Sequence, residues 1–282
     1  MYLLLLVSLV WAFSFGLIKR YLDGLDPCFI SFVRMALSFL VFLPMLRIKD
    51  VPRGRAVRLV LLGAIQYGLM YVLYAASFAT LAAHQVALFA SLTPIWVVAL
   101  DDALERRFRP HFAVAAVLAV AGAAVFGSWF WGVSSVWRGF WLMQGSNLCF
   151  AVGQVWYRRI ASGPMTEYAL PYAGALVVTG AGMLVTTTSV PVHLSWTQAA
   201  VLGYLGILAS GVCLFWWNLG AAKTSTGVLA VFNNAKVPLG VLISLVVFGE
   251  STNLGRLGIG AAMLLAALWI GGRRRSTLLG SV

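Results

Sequence analysis

Long apolar runs recur along the whole chain, and they constrain its fold more than any other feature. Read with a window of about 19 residues, ten of them stand out. Their cores are Tyr2–Ile18, Cys28–Leu46, Leu59–Phe78, Leu81–Leu100, His111–Phe126, Gly139–Trp156, Tyr168–Thr187, Thr197–Trp217, Gly227–Phe248 and Leu257–Ile270. Most approach the roughly 20 residues that an α-helix needs to cross the hydrocarbon layer. Lipid offers no partner to backbone N–H and C=O groups, so a crossing run must pair them within itself, as a helix does. Barrel strands would alternate apolar and polar residues, and these runs do not. The 282 residues are 61% hydrophobic and 10% charged, against about 25% charged in a soluble globule. The sequence therefore predicts an all-α polytopic membrane protein with ten transmembrane helices. The lipid bilayer is its first partner.

Net charge is +12, which in a soluble chain points to nucleic acid. Here the cations sit in short loops, where they orient helices, so no nucleic acid is expected. With the N-terminus in the cytoplasm, fourteen Lys and Arg residues fall on the inner side and four on the outer. Arg34 and Lys236 lie within the runs. Both termini are thus expected in the cytoplasm. Cys28, Cys149 and Cys213 have no metal spacing and read as small core residues.

The halves repeat. Leu9–Arg20 lines up with Leu148–Arg159, and Thr80–Pro94 with Thr224–Pro238. Each half holds five runs, an odd number, so the second copy must be inverted in the membrane. Two inverted five-helix repeats, about 1–127 and about 138–275, would make one transmembrane domain. Such repeats mark secondary transporters, with the solute site at the repeat interface near the midplane.

The ninth run carries the strongest site signal. Asn233, Asn234, Lys236 and Pro238 interrupt an apolar stretch, and Lys236 is about nine residues from its start. A charge at membrane depth costs at least about 2.5–3.5 kcal/mol and normally serves a pathway. The nearest carboxylate in sequence, Glu250, is roughly four helical turns further on. Asn233, Lys236, Gly240 and Ser244 share a face. In the third run Tyr67, Tyr71 and Tyr74 fall on one face at i, i+4 and i+7. Tyr67 and Tyr71 fit a cavity lining or a packed ridge equally well. His84 fits an interhelical hydrogen bond better than a solute contact or a proton acceptor. In the sixth run Gln144, Asn147, Ala151 and Gln154 form a polar stripe. Trp11 sits beside the matching stripe of the first run. Trp216 and Trp217 read as a headgroup anchor. Arg34 suits a bidentate grip on a carboxylate or snorkelling. No zincin, nucleophile-elbow or phosphate-loop signature occurs, so neither an enzyme nor a cofactor or metal is expected.

These features together resemble the drug/metabolite transporter superfamily, EamA type. The resemblance is carried by Trp11-Ala12 with Phe150-Ala151, Phe29–Ala36 around Arg34, Leu73–Leu92 with Pro94, and Phe248-Gly249-Glu250. The first half departs at Leu104-Glu105, where Gly-Glu is usual. Within it the chain looks most like bacterial YddG-type amino-acid exporters. That implies alternating-access export of neutral or zwitterionic amino acids across the inner membrane. The alternative is a carrier of another small metabolite or drug. A membrane-embedded enzyme or receptor ranks last. The expected substrate-binding residues are Lys236, Asn233, His84, Tyr67, Tyr71, Trp11, Asn147, Gln154 and Arg34. Whether the chain is a monomer or a homodimer stays open.

Overall fold

A computed structural model describes residues 2–104, 106, 114, 117, 118, 121, 125, 134–160, 165–186, 193–223 and 226–271, with the side chains at 2, 3, 98, 101, 134, 158, 159, 221–235, 268 and 271 excluded. Among these residues every regular element is helical. In order they are α1 (Tyr2–Tyr21), α2 (Pro27–Phe42), α3 (Arg53–Gly63), α4 (Met70–Ser77), α5 (Ala83–Ala90) and α6 (Thr93–Leu104). Then follow α7 (Ser134–Ile160), α8 (Ala169–Thr186), α9 (Trp196–Gly203), α10 (Cys213–Lys223), α11 (Thr226–Val246) and α12 (Leu254–Gly271). Two π segments, Ala64–Leu69 and Tyr204–Val212, join α3 to α4 and α9 to α10 as continuous rods. Six of the helical stretches are long and apolar enough to cross a bilayer. Large apolar side chains such as Leu40, Val177, Leu242 and Trp269 face outward. An apolar exterior over a polar-spotted interior fits a polytopic membrane protein. The run His111–Phe126 falls almost wholly outside the described residues.

Some boundaries differ from the apolar cores. The sixth run extends to a 27-residue helix, because flanking polar residues continue a helix beyond the hydrocarbon. The fourth run breaks between α5 and α6. Pro94 has no N–H to give Ala90, and the Thr93 hydroxyl donates to that carbonyl instead at 2.8 Å. The Phe89 carbonyl at the same break accepts from the Asn147 amide at 2.8 Å. The broken helix therefore needs α7 beside it, and α5 and α6 both pack there.

Glycines set the tightest approach. A Cβ on Gly63 would sit 1.8 Å from the Pro171 carbonyl oxygen, and one on Gly174 would sit 1.9 Å from that of Val60. Only bare backbone lets α3 and α8 meet this closely, the usual device of helices in lipid. One turn further on, Tyr67 and Tyr172 stack at 5.0 Å.

Candidate functional site

A cavity of about 80 Å³ opens at the centre of the bundle. α1 contributes Trp11, Ser14 and Phe15, one helical face by spacing. α2 contributes Arg34, and α4 contributes Tyr71 and Tyr74 with Met70. α7 offers Met143, Ser146, Asn147 and Phe150, and α11 offers Lys236. The described lining holds two cations and no carboxylate.

The second π segment positions much of this wall. π winding widens the turn and loosens the carbonyl ladder, and the surrounding helices use what it frees. Trp11 Nε1 donates to the Ala209 carbonyl at 2.9 Å. Ser38 donates to the Gly206 carbonyl at 2.7 Å, and Tyr172 to that of Ser210 at 2.5 Å. The Ser210 hydroxyl accepts from Arg34 Nε at 3.1 Å and from Nη2 at 2.9 Å.

Arg34 is 2% exposed. Its guanidinium lies 4.1 Å from the centre of the Tyr71 ring and 5.9 Å from that of Tyr74. A desolvated cation gains about 2 kcal/mol from such a face, which offsets part of its burial cost. Nη1 is buried with no hydrogen-bond partner. Lys236 is 9% exposed, with Nζ 4.9 Å from the Trp11 ring centre.

Trp11, Arg34, Tyr71, Asn147 and Lys236 thus come together around this cavity. Asn147 also has a structural part. Its amide carbonyl accepts from Thr93 at 3.0 Å, while Gln144 accepts from Trp96 Nε1 at 3.0 Å. The polar stripe of α7 is mostly glue to the broken helix, and the cavity face is rotated towards Ser146 and Phe150. Gln154 is buried but does not line the cavity. The Asn233 side chain lies outside the described residues. Ser14, Ser146 and Phe150 were missed. Serines at i+3 from Trp11 and next to Asn147 carry the signal, but a lone serine in a helix most often bonds its own backbone. Ser14 does that too, donating to Val10 at 3.0 Å.

Tyr67 belongs to a hydrogen-bonded cluster beside the cavity. Its hydroxyl lies 3.1 Å from that of Tyr168. Asn218 donates to both, at 2.7 and 2.6 Å, and Tyr168 donates to the Leu214 carbonyl at 3.1 Å. Trp217, expected at the headgroups, is fully buried and lies 5.1 Å from Trp11 ring to ring.

His84 sits at one end of the bundle, in the first turn of α5, and not in the cavity. Ala82 at the helix N-cap has no side-chain oxygen, so Glu250 caps the helix from across the chain. Its carboxylate accepts from the backbone amides of Ala83 at 2.8 Å and His84 at 3.2 Å. It also meets His84 Nδ1 at 2.7 Å and the Ser244 hydroxyl. Gly249, at φ 67°, gives the turn that sends Glu250 back to the helix. Burial works against this carboxylate's charge, but the bonds from His84, Ser244 and the two amides outweigh it and hold the group at about 2. At the other end Arg55 pairs with Glu167 at 2.7 Å and donates to the Ile160 carbonyl at 2.9 Å.

Known proteins place this architecture. The profile of the EamA-like transporter family matches residues 1–128. A Pseudomonas aeruginosa protein named a probable biotin transporter is 38% identical, over 96% of this chain and 98% of its own. The chain belongs to the EamA-like transporter family. Proteins named biotin transporter are similar too: one from Salmonella typhimurium at 34% identity and one from Escherichia coli at 35%. Each covers 96% of this chain and 92% of its own. A solved crystal structure at 19% identity matches with a TM-score of 0.64 over 96% of this chain and 94% of its own, a likeness of fold alone. As an EamA-like protein the chain is a small-molecule transporter and not an enzyme. The relatives favour the other-metabolite alternative over amino-acid export.

Proposed function

We propose that the chain is an alternating-access secondary carrier of biotin, working in the inner membrane with both termini in the cytoplasm. Ten helices form two inverted repeats, about 1–127 and about 138–275, and the central cavity is the solute site. Reciprocal contacts support the repeat: α1 packs on α11 much as α7 packs on α5 and α6. Likewise α2 meets the second π segment and α8 meets the first. Each π segment falls in the third run of its half.

The observation that carries the substrate reading is a cavity with two cations and no carboxylate in its described lining. Biotin is a carboxylate joined to an uncharged bicyclic urea. Aromatic faces at Trp11, Tyr71 and Phe150 suit its apolar surface, and Ser146 and Asn147 suit its urea. Lys236 and Arg34 supply the positive potential. An amino acid would also need an acceptor for its ammonium, and none of the described lining residues is anionic. The names of the relatives point the same way.

Expression in a host that cannot make biotin and lacks its own carrier tests this. Growth at limiting biotin, lost with Lys236→Ala at equal membrane levels, is the expected result. Failure to grow, together with amino-acid efflux by the same cells, would restore the exporter reading.

A further inference from the structure

Arg34 presents its guanidinium in an unusual state for a buried cation. A guanidinium has two edges that fit a carboxylate. One carries Nε–H and one Nη2–H; the other carries one Nη1–H and the second Nη2–H. Ser210 occupies the first edge with a single hydroxyl oxygen. Tyr71 covers a face at 4.1 Å. The second edge is left over, and Nη1 finds no partner although the residue is 2% exposed. Among the described residues no carboxylate forms a salt bridge with Arg34. A buried polar hydrogen without an acceptor costs about 1–3 kcal/mol, more on a charged group. A transporter tolerates that cost where the missing acceptor arrives with the solute.

We infer that Arg34 is the carboxylate anchor of the cavity, gripping the solute through its Nη1–Nη2 edge, and that Ser210 is the positioning residue that presents this edge. The assignment rests on the carrier reading above and adds which atom holds the acid and what sets it. Lys236, on α11, then adds long-range attraction. Ser210 is itself fixed by the π segment, whose carbonyl at this residue accepts from Tyr172. That bond is to backbone, so Ser210→Ala leaves it intact and removes only the guanidinium's acceptor. Without it the side chain loses its fixed rotation, and the free edge no longer meets the solute squarely. The preference created is for a singly charged acid over its uncharged amide, whatever the rest of the molecule.

The test is equilibrium binding to the purified full-length protein in nanodiscs, using biotin, its primary amide, pentanoate and pentanamide. Wild type is expected to bind each acid at least about tenfold tighter than its amide, the worth of a hydrogen bond to charge. Ser210→Ala should weaken acid binding about tenfold and leave amide binding within about twofold. Arg34→Gln should erase the preference, and Ser210→Thr, which keeps the hydroxyl, should retain it. The wild-type acid-to-amide ratio needs no variant, so a misfolded mutant does not remove the test. Biotin without affinity while pentanoate keeps the preference would end the biotin reading and support the anchor. Equal binding of biotin and its amide by wild type, or equal weakening of both by Ser210→Ala, would overturn the anchor alone. No acid binding at all would overturn both.

Discussion

Two tyrosines one turn apart on the same rod have opposite surroundings. Tyr71 lies under the Arg34 guanidinium and faces empty space. Tyr67 is fully enclosed, with its hydroxyl bonded to both Tyr168 and Asn218. Around Tyr67 the hydroxyls of Tyr67 and Tyr168 are answered within the protein, by each other and by Asn218. Around Tyr71 a charged group keeps an unanswered hydrogen. A saturated buried network specifies structure, whereas an incomplete one beside a cavity is a place for a ligand. The contrast separates what holds this transporter together from what it carries.

The largest way to break the contrast is to remove the Tyr67 side. Gly63→Val puts side-chain atoms into the Pro171 carbonyl, so α3 and α8 must separate and the Tyr67–Tyr172 stack is lost. The expected outcome is no recoverable folded protein, read as the monodisperse fraction after detergent extraction. Arg34→Gln attacks the other side. Truncating one partner of a buried charge pair costs about 2–5 kcal/mol, so biotin transport should fall by about a hundredfold or more while thermal stability stays equal or rises. Tyr67→Phe sharpens the comparison by reversing that pattern. It should lower stability by about 1–3 kcal/mol, measured by thermal unfolding in detergent, with transport per folded molecule unchanged.

The smallest expected effect comes from Glu250, far from both tyrosines. Its folded pKa is depressed to about 2 from an ordinary 4.5. Its contribution is therefore complete above about pH 4.5 and lost as pH falls towards 2. Glu250→Gln should lower the melting temperature by a few degrees at pH 7, and the difference from wild type should shrink steadily as the buffer is taken below pH 4.

Much of this was legible in the sequence. The apolar runs fix the helices, and Lys236 deep in its run pointed to a cavity because charge in lipid needs a purpose, whereas Arg34, about a turn and a half into its run, fitted snorkelling as well. The i, i+4, i+7 spacing placed Tyr67, Tyr71 and Tyr74 on one face, but that spacing assumes 3.6 residues per turn. The π winding over Ala64–Leu69 shifts the phase, and Tyr67 turns towards α8 and α10. Nothing in local composition announces a π segment. The partner of His84 is 166 positions away, so its role as one half of a helix cap could not be read from its neighbours. The amides of α7 gave a true polar stripe, but the Asn147 amide is taken up by the Phe89 carbonyl beside the helix break, a pairing that appears only when α5 and α7 meet.

A structure determined with biotin bound addresses the central claim most directly. The account predicts biotin inside the central cavity, its carboxylate about 3 Å from Arg34 Nη1, with Ser210 still holding the other edge. Biotin lodged elsewhere in the bundle, or its carboxylate on Lys236 with the Arg34 edge still empty, would contradict it.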